Sequence, residues 1–172
     1  MSVRKILTEP NKVLRLISKT VVRVGDEERL LMDDMIDTMY DAPGIGLAAI
    51  QIGVPKRIIV MDIGRDENKK EPRYFVNPVI TKKNKEKAKY EEGCLSVPNQ
   101  FAEIERPNTC EVEYLDYEGK KQLLKADGLL ATCIQHEMDH LDGILFIDYL
   151  SKLKKSMIIK KLSKNKVNRE IL

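Results

Sequence analysis

The chain has 172 residues, 42% of them hydrophobic and 33% charged, with a net charge of +3. That is the composition of one globular domain with a sizeable core; it excludes a disordered chain, and no apolar run approaches the ~18–20 residues of a membrane span. The small positive charge does not by itself call for nucleic acid, and three cysteines without a CxxC pair argue against a disulfide framework and for a reducing compartment.

The first residues, Met1-Ser2-Val3-Arg4-Lys5-Ile6-Leu7, contain no signal-peptide core. A cytoplasmic location with no membrane partner is therefore expected. A helix is predicted from Asp26 to Tyr40, with Leu31, Met35 and Met39 as its apolar stripe, Asp26 as N-cap and Pro43-Gly44 as its stop. The next segment, Gly44-Ile45-Gly46-Leu47-Ala48-Ala49, matches a dinucleotide fingerprint in form. That motif requires a preceding strand, and a helix precedes this one. Two readings stay open: a tight connection that uses glycine for positive φ, or a bare backbone that an extended ligand can approach.

Residues Arg57 to Asp62 read as a buried strand, and Tyr74 to Ile80 as another that Pro78 pushes to an edge or a bulge. A polar loop from Gly64 to Pro72 joins them. Glu92 to Pro98 is a non-repetitive bend carrying Cys94. Thr109 to Leu115 alternates, with Cys110, Val112 and Tyr114 on one face, and Lys120 to Lys125 returns as its partner after a turn at Glu118-Gly119. A second helix runs from Asp127, its N-cap, to Leu141, with Gly143 as its stop. Apolar residues lie nearly all round it, so it is expected to be central and covered. A last helix starts near Ser151, with Leu150, Leu153, Met157, Ile158 and Leu162 as its apolar face. The order of elements predicts an α+β fold: mixed or antiparallel sheets around a central helix, with a C-terminal helix. Residues 1–150 form the catalytic domain in this reading, and 151–172 a basic tail of the same domain.

Both histidines of the chain fall in His136-Glu137-Met138-Asp139-His140, an HExxH motif. On a helix the two imidazoles project about 40° apart and ~6 Å along the axis, close enough to share one ion. Glu137 stands beside such an ion as a base without ligating it. The bland alternative is a chance pair on a core helix. The third ligand is not a downstream glutamate, since none follows before Glu170, nor a third histidine, since Phe146 holds that place. Cys133 is a rise of ~10 Å from His140 and lines the pocket instead. Cys110 reads as a small buried hydrophobe. Elimination favours Cys94, with an Asp or a distant carboxylate as the alternative.

Taken together, three ordered segments resemble the peptide deformylase family: Gly44 to Gln51 (GxGxAAxQ), Glu92 to Ser96 (EGCLS) and His136 to His140 (HExxH). The resemblance implies Cys94, His136 and His140 as metal ligands. It implies Fe(II) as the native ion, with Zn, Ni or Co able to replace it, and removal of the formyl group from N-formylmethionyl nascent peptides. It further implies that Glu137 shuttles the proton, and that the Gln51 amide and Leu95 N–H hold the developing oxyanion. Ile45 and Cys133 would then form the methionine pocket, with Ile45 and Gly46 bonding the peptide backbone. One departure from the family is Phe101, where many bacterial members carry Arg; this bears on contacts beyond methionine. Arg106 matches a basic family position. Residues 151–172 hold eight Lys/Arg and one acidic residue. They read either as a solvated helix face or as a ribosome contact. The competing functions are a peptidase and a non-catalytic metal module.

Overall fold

The computed structural model describes residues 2–64 and 68–170, with side chains described as far as residue 165. Helix α1 (Asp26–Asp41) forms as the spacing predicts, but its N-cap is Gly25. Glu28 reaches back to accept from the Gly25 N–H at 3.0 Å, so Asp26 becomes the first helical residue. Three carboxylates then occupy the positive first turn.

The strands are β1 (Gly46–Ala48), β2 (Ile58–Met61), β3 (Arg73–Lys83), β4 (Lys87–Cys94), β5 (Val97–Pro107), β6 (Thr109–Leu115) and β7 (Lys121–Asp127). Five of them make an antiparallel sheet in the order β1-β2-β3-β6-β7, and β4 and β5 form a separate hairpin. Pro78 does not put β3 at an edge, because β3 is the central strand. It is tolerated by a bulge: the ladder to β6 shifts between Val76 and Val79, and Asn77 takes a φ of 49°. The Asn77 amide then pairs with both backbone groups of Val21, at 2.8 Å each. In the predicted polar loop, residues 65–67 lie outside the described residues.

Alternation along β2 sets the layers. Ile58 and Val60 face α1, where Met32, Met35, Ile36 and Met39 close one core. Ile59 and Met61 face the other way with Phe75, Cys110 and Val112, onto helix α2 (Gly128–Leu141). Cys110 is thus the buried hydrophobe expected of it. Helix α2 is buried over Ala131–Glu137, His140 and Leu141, which is the covered position its apolar circumference predicts. Asp127 stands at its N-cap without a side-chain capping bond, because strand β7 runs directly into the helix through Gly128 at φ 52°.

Helix α3 (Lys152–Glu170) begins where expected, and its apolar face is narrower than the predicted one. Leu153 and Met157 are exposed. Leu150, Ile158 and Leu162 of the predicted face do pack on Val97, Ile104, Phe146 and Ile147, joined by Ile159. An ion pair of 2.7 Å between Lys155 and Asp148 anchors the helix. Residues 171 and 172 of the predicted tail lie outside the described residues. No helix among the described residues is long and apolar enough to cross a membrane.

Candidate metal centre and active site

Strand β4 ends at Cys94, the two-residue turn Leu95-Ser96 follows, and Val97 opens β5 opposite Cys94. This hairpin lays the thiol against the last turns of α2. Cys94 Sγ is 3.3 Å from His140 Nε2. The His136 and His140 rings stand edge to face, centroids 5.1 Å apart. One donor atom from each of Cys94, His136 and His140 lies within 4.8 Å of the others, and this is the only such group among the described residues. Cys133 is not part of it: its thiol points to the Ile45 carbonyl at 3.9 Å.

A sulfur and two imidazole nitrogens suit a first-row divalent ion. Two further observations fit one. His136 Nδ1 is taken by Glu92 Oε1 at 2.8 Å, which leaves Nε2 as the free donor. His140 Nδ1 and Glu137 Oε2 are buried without a protein partner among the described residues. Burial pulls both imidazoles toward the neutral form. On His136 the Cys94 sulfur and the Glu92 carboxylate outweigh burial and raise the pKa well above an ordinary histidine's. His140, under burial and then the neighbouring His136 charge, falls well below.

Burial pushes Glu137 up to about 7, against the pull of His136. Its carboxylate lies on the backbone of Gly46, where a Cβ would stand 2.5 Å from Oε1. Close approach, with no positive φ at either Gly44 or Gly46, is what the glycine segment provides. At Gly44 the neighbour is the Leu95 side chain, 2.7 Å from a Cβ built there.

Gln51 is buried, and its amide has one possible orientation. The Ala48 N–H can only donate, so it meets Oε1, at 2.8 Å. The NH₂ group then faces Ser96 Oγ at 3.0 Å and Cys94 Sγ at 3.6 Å. Gln51, Cys94, His136 and Glu137 line a pocket of about 450 Å³, together with Ile45, Gly46, Leu95, Cys133 and Phe101. Phe101 is 66% exposed at its rim, with its ring against Gly93 across the hairpin. Eight of the nine predicted site residues line this pocket, and the ninth, His140, is buried behind the lining beside Cys94.

Sequence reasoning gave no role to the residues that hold the donors. Arg106 is buried and bonds Glu92 through Nε at 2.7 Å and Nη2 at 3.0 Å, and Asp139 through Nη1 at 2.9 Å. Burial would protonate Glu92, but His136 and Arg106 outweigh it and hold its pKa below the usual range. The period of two in β4, which turns Ala88, Tyr90 and Glu92 inward, was the available signal.

The chain is similar to known proteins over nearly its whole length. The family model described as polypeptide deformylase matches residues 3–156. Peptide deformylase of Pelagibacter ubique (strain HTCC1062) is 84% identical over the full length of both chains. That of Rhizobium meliloti (strain 1021) is 53% identical over 95% of this chain and 94% of its own. The crystal structure of peptide deformylase from Ehrlichia chaffeensis superposes with a TM-score of 0.91 at 44% identity, covering 96% of this chain and 97% of that one. The same organism's enzyme in complex with actinonin gives a TM-score of 0.90 at 47% identity, over 96% and 98% of the two chains. This chain belongs to the polypeptide deformylase family.

Proposed function

We propose that this protein removes the N-formyl group from the initiator methionine of newly made polypeptides, releasing formate, at a cation held by Cys94, His136 and His140. The observation that carries the reading is the meeting of these three donors within 4.8 Å at a pocket bordered by Glu137 and Gln51, in a chain of this family. The family is metal-dependent. Fe(II) is the native ion in this reading, and Zn, Ni or Co suit the same donor types. When bound, the ion supplies Lewis-acid polarisation of the formyl oxygen and acidifies water.

The chain's own groups do the rest. Glu137, with a pKa near 7 and an unpartnered oxygen, takes a proton from the attacking water and returns one to the departing amine. The Gln51 NH₂ group, held by Ala48, and the Leu95 N–H donate to the oxygen that gains charge. Cys133 and Ile45 receive the methionine side chain, and the Ile45 and Gly46 backbone aligns the peptide in strand fashion. The snug surroundings of Glu137 suit a formyl group better than a larger acyl group.

The substrates are nascent formylmethionyl peptides, in the cytoplasm. The eight Lys/Arg of residues 151–172 support a contact with the ribosome. A salt-sensitive ribosome pull-down lost on deleting this tail is the expected result, and equal binding without it would remove the tail from the interface. The decisive assay is formate release from a formyl-Met peptide by anaerobically Fe(II)-loaded protein. Glu137→Ala is expected to retain the ion and to lose about 10²–10⁴ in turnover. Near-normal turnover in that variant, or cleavage of unblocked peptides by the parent, would overturn the assignment.

A further inference from the structure

Tyr149 is 51% exposed, yet its hydroxyl donates to Asp139 Oδ2 at 2.7 Å. Its ring lies beneath the Arg106 guanidinium, 4.9 Å from ring centroid to Cζ. The same Asp139 oxygen accepts from Arg106 Nη1, while the other edge of the guanidinium grips both oxygens of Glu92. Glu92 in turn holds His136 Nδ1 at 2.8 Å. An unbroken chain of charged hydrogen bonds thus leads from a surface phenol to an imidazole in the donor set.

We propose that Tyr149 is a positioning residue for His136. The guanidinium is a flat fork, and its orientation aims Glu92. Glu92 fixes one edge of the fork. Asp139 fixes the other, with a side chain that is 20% exposed to water. The Tyr149 hydroxyl pins Asp139 and the Tyr149 ring supports the fork from below, so Glu92 presents the imidazole at one angle.

The position of Tyr149 extends the consequence. It closes the short turn Phe146–Tyr149, whose Phe146 ring lies 6.2 Å from the His136 ring. Asp148 beside it is paired with Arg15 at 2.6 Å and with Lys155 of α3 at 2.7 Å. The seat of α3 is thereby linked to the orientation of a metal donor.

This inference rests on Cys94, His136 and His140 holding a cation, and the test separates the two claims. The full chain is loaded with Co(II), and its visible absorption and its loss of Co(II) to a chelator are followed. Tyr149→Phe keeps the ring and removes only the hydroxyl. It is expected to release Co(II) about 5–10-fold faster, to shift the visible band, and to lower kcat for a formyl-Met peptide with KM unchanged. Tyr117→Phe deletes a comparable bond, Tyr117 to Asp33 at 3.1 Å, on the α1 side of the sheet, and is expected to release Co(II) as the parent does. Arg106→Lys is expected to release faster still, with the double variant Tyr149→Phe/Arg106→Lys no faster than Arg106→Lys alone, because the effect passes through the guanidinium. Release from Tyr149→Phe within about twofold of the parent, or two effects that simply multiply, would overturn the positioning role. A parent that binds no Co(II) would overturn the donor assignment and this inference with it.

Discussion

Gly46 and Glu137 are in such close contact that a Cβ on residue 46 would stand 2.5 Å from Glu137 Oε1 and 3.0 Å from Cys133 Sγ. A strand residue and a helix residue far apart in sequence therefore share one requirement: the first must lack a side chain for the second to sit where it does. Gly46→Ala is expected to displace the Glu137 carboxylate, retain the ion, and lower kcat/KM by about 10²-fold, the usual effect of a misplacement near 1 Å. Metal content and formate release, measured on the same sample, check this. Unchanged turnover would show that the carboxylate has room to move.

Cys94 and Cys133 both border the pocket, but only Cys94 faces the histidines, with Sγ 3.3 Å from His140 Nε2. A serine hydroxyl is a harder, weaker donor than a thiolate. Cys94→Ser is expected to lower metal retention by about tenfold or more, whereas Cys133→Ser leaves it near the parent's. Equilibrium dialysis with Co(II) decides between them, and the reverse order would move the sulfur ligand to Cys133.

Phe101 offers an exposed ring at the pocket mouth. Removing it takes apolar contact from residues that follow the methionine and leaves the formyl end untouched. Phe101→Ala is expected to raise KM about 3–5-fold for formyl-Met peptides with apolar following residues, with kcat unchanged. Formyl-methionine amide serves as the control and is expected to show no change. An equal change for both substrates would place the ring in the methionine pocket.

Asp148 accepts from Arg15 Nη1 and the Leu145 N–H and pairs with Lys155, joining the N-terminal segment to α3. Burial raises its pKa, but the hydrogen bonds from Arg15 and Lys155 outweigh burial and hold it below the ordinary aspartate value of 3.8. A carboxyl whose folded pKa is depressed stabilises the fold above its unfolded pKa, and the contribution disappears as pH falls through the folded value. Asp148→Asn is therefore expected to cost about 1–2 kcal/mol at pH 7, with the difference from the parent shrinking below about pH 4. Urea titrations of both proteins at neutral and acidic pH test the sign. A difference that grew on acidification would assign the stabilisation to another group.

Much of the frame was legible before folding because it is written in local periods. The interval of four between His136 and His140 becomes one helix face by the geometry of the helix alone. The alternation at Cys110, Val112 and Tyr114 became a strand face in the same way. Pro78 announced an irregularity, but whether it meant an edge or a bulge depended on β6, which pairs on its other side. The hairpin β4–β5 escaped notice because its inward positions are filled by Ala88, Tyr90 and Glu92, so alternation there carries little hydrophobic contrast.

The two imidazoles, the carboxylate between them and the candidate thiol could be named from residue type and short spacing alone. It took the folded chain to set Cys94 beside His140, to clamp Glu92 behind His136 with Arg106, and to leave Leu153 and Met157 of α3 in water. Those outcomes come from how whole elements pack and which buried charges find partners. Packing sums many weak contacts over distant segments, and no local pattern contains that sum.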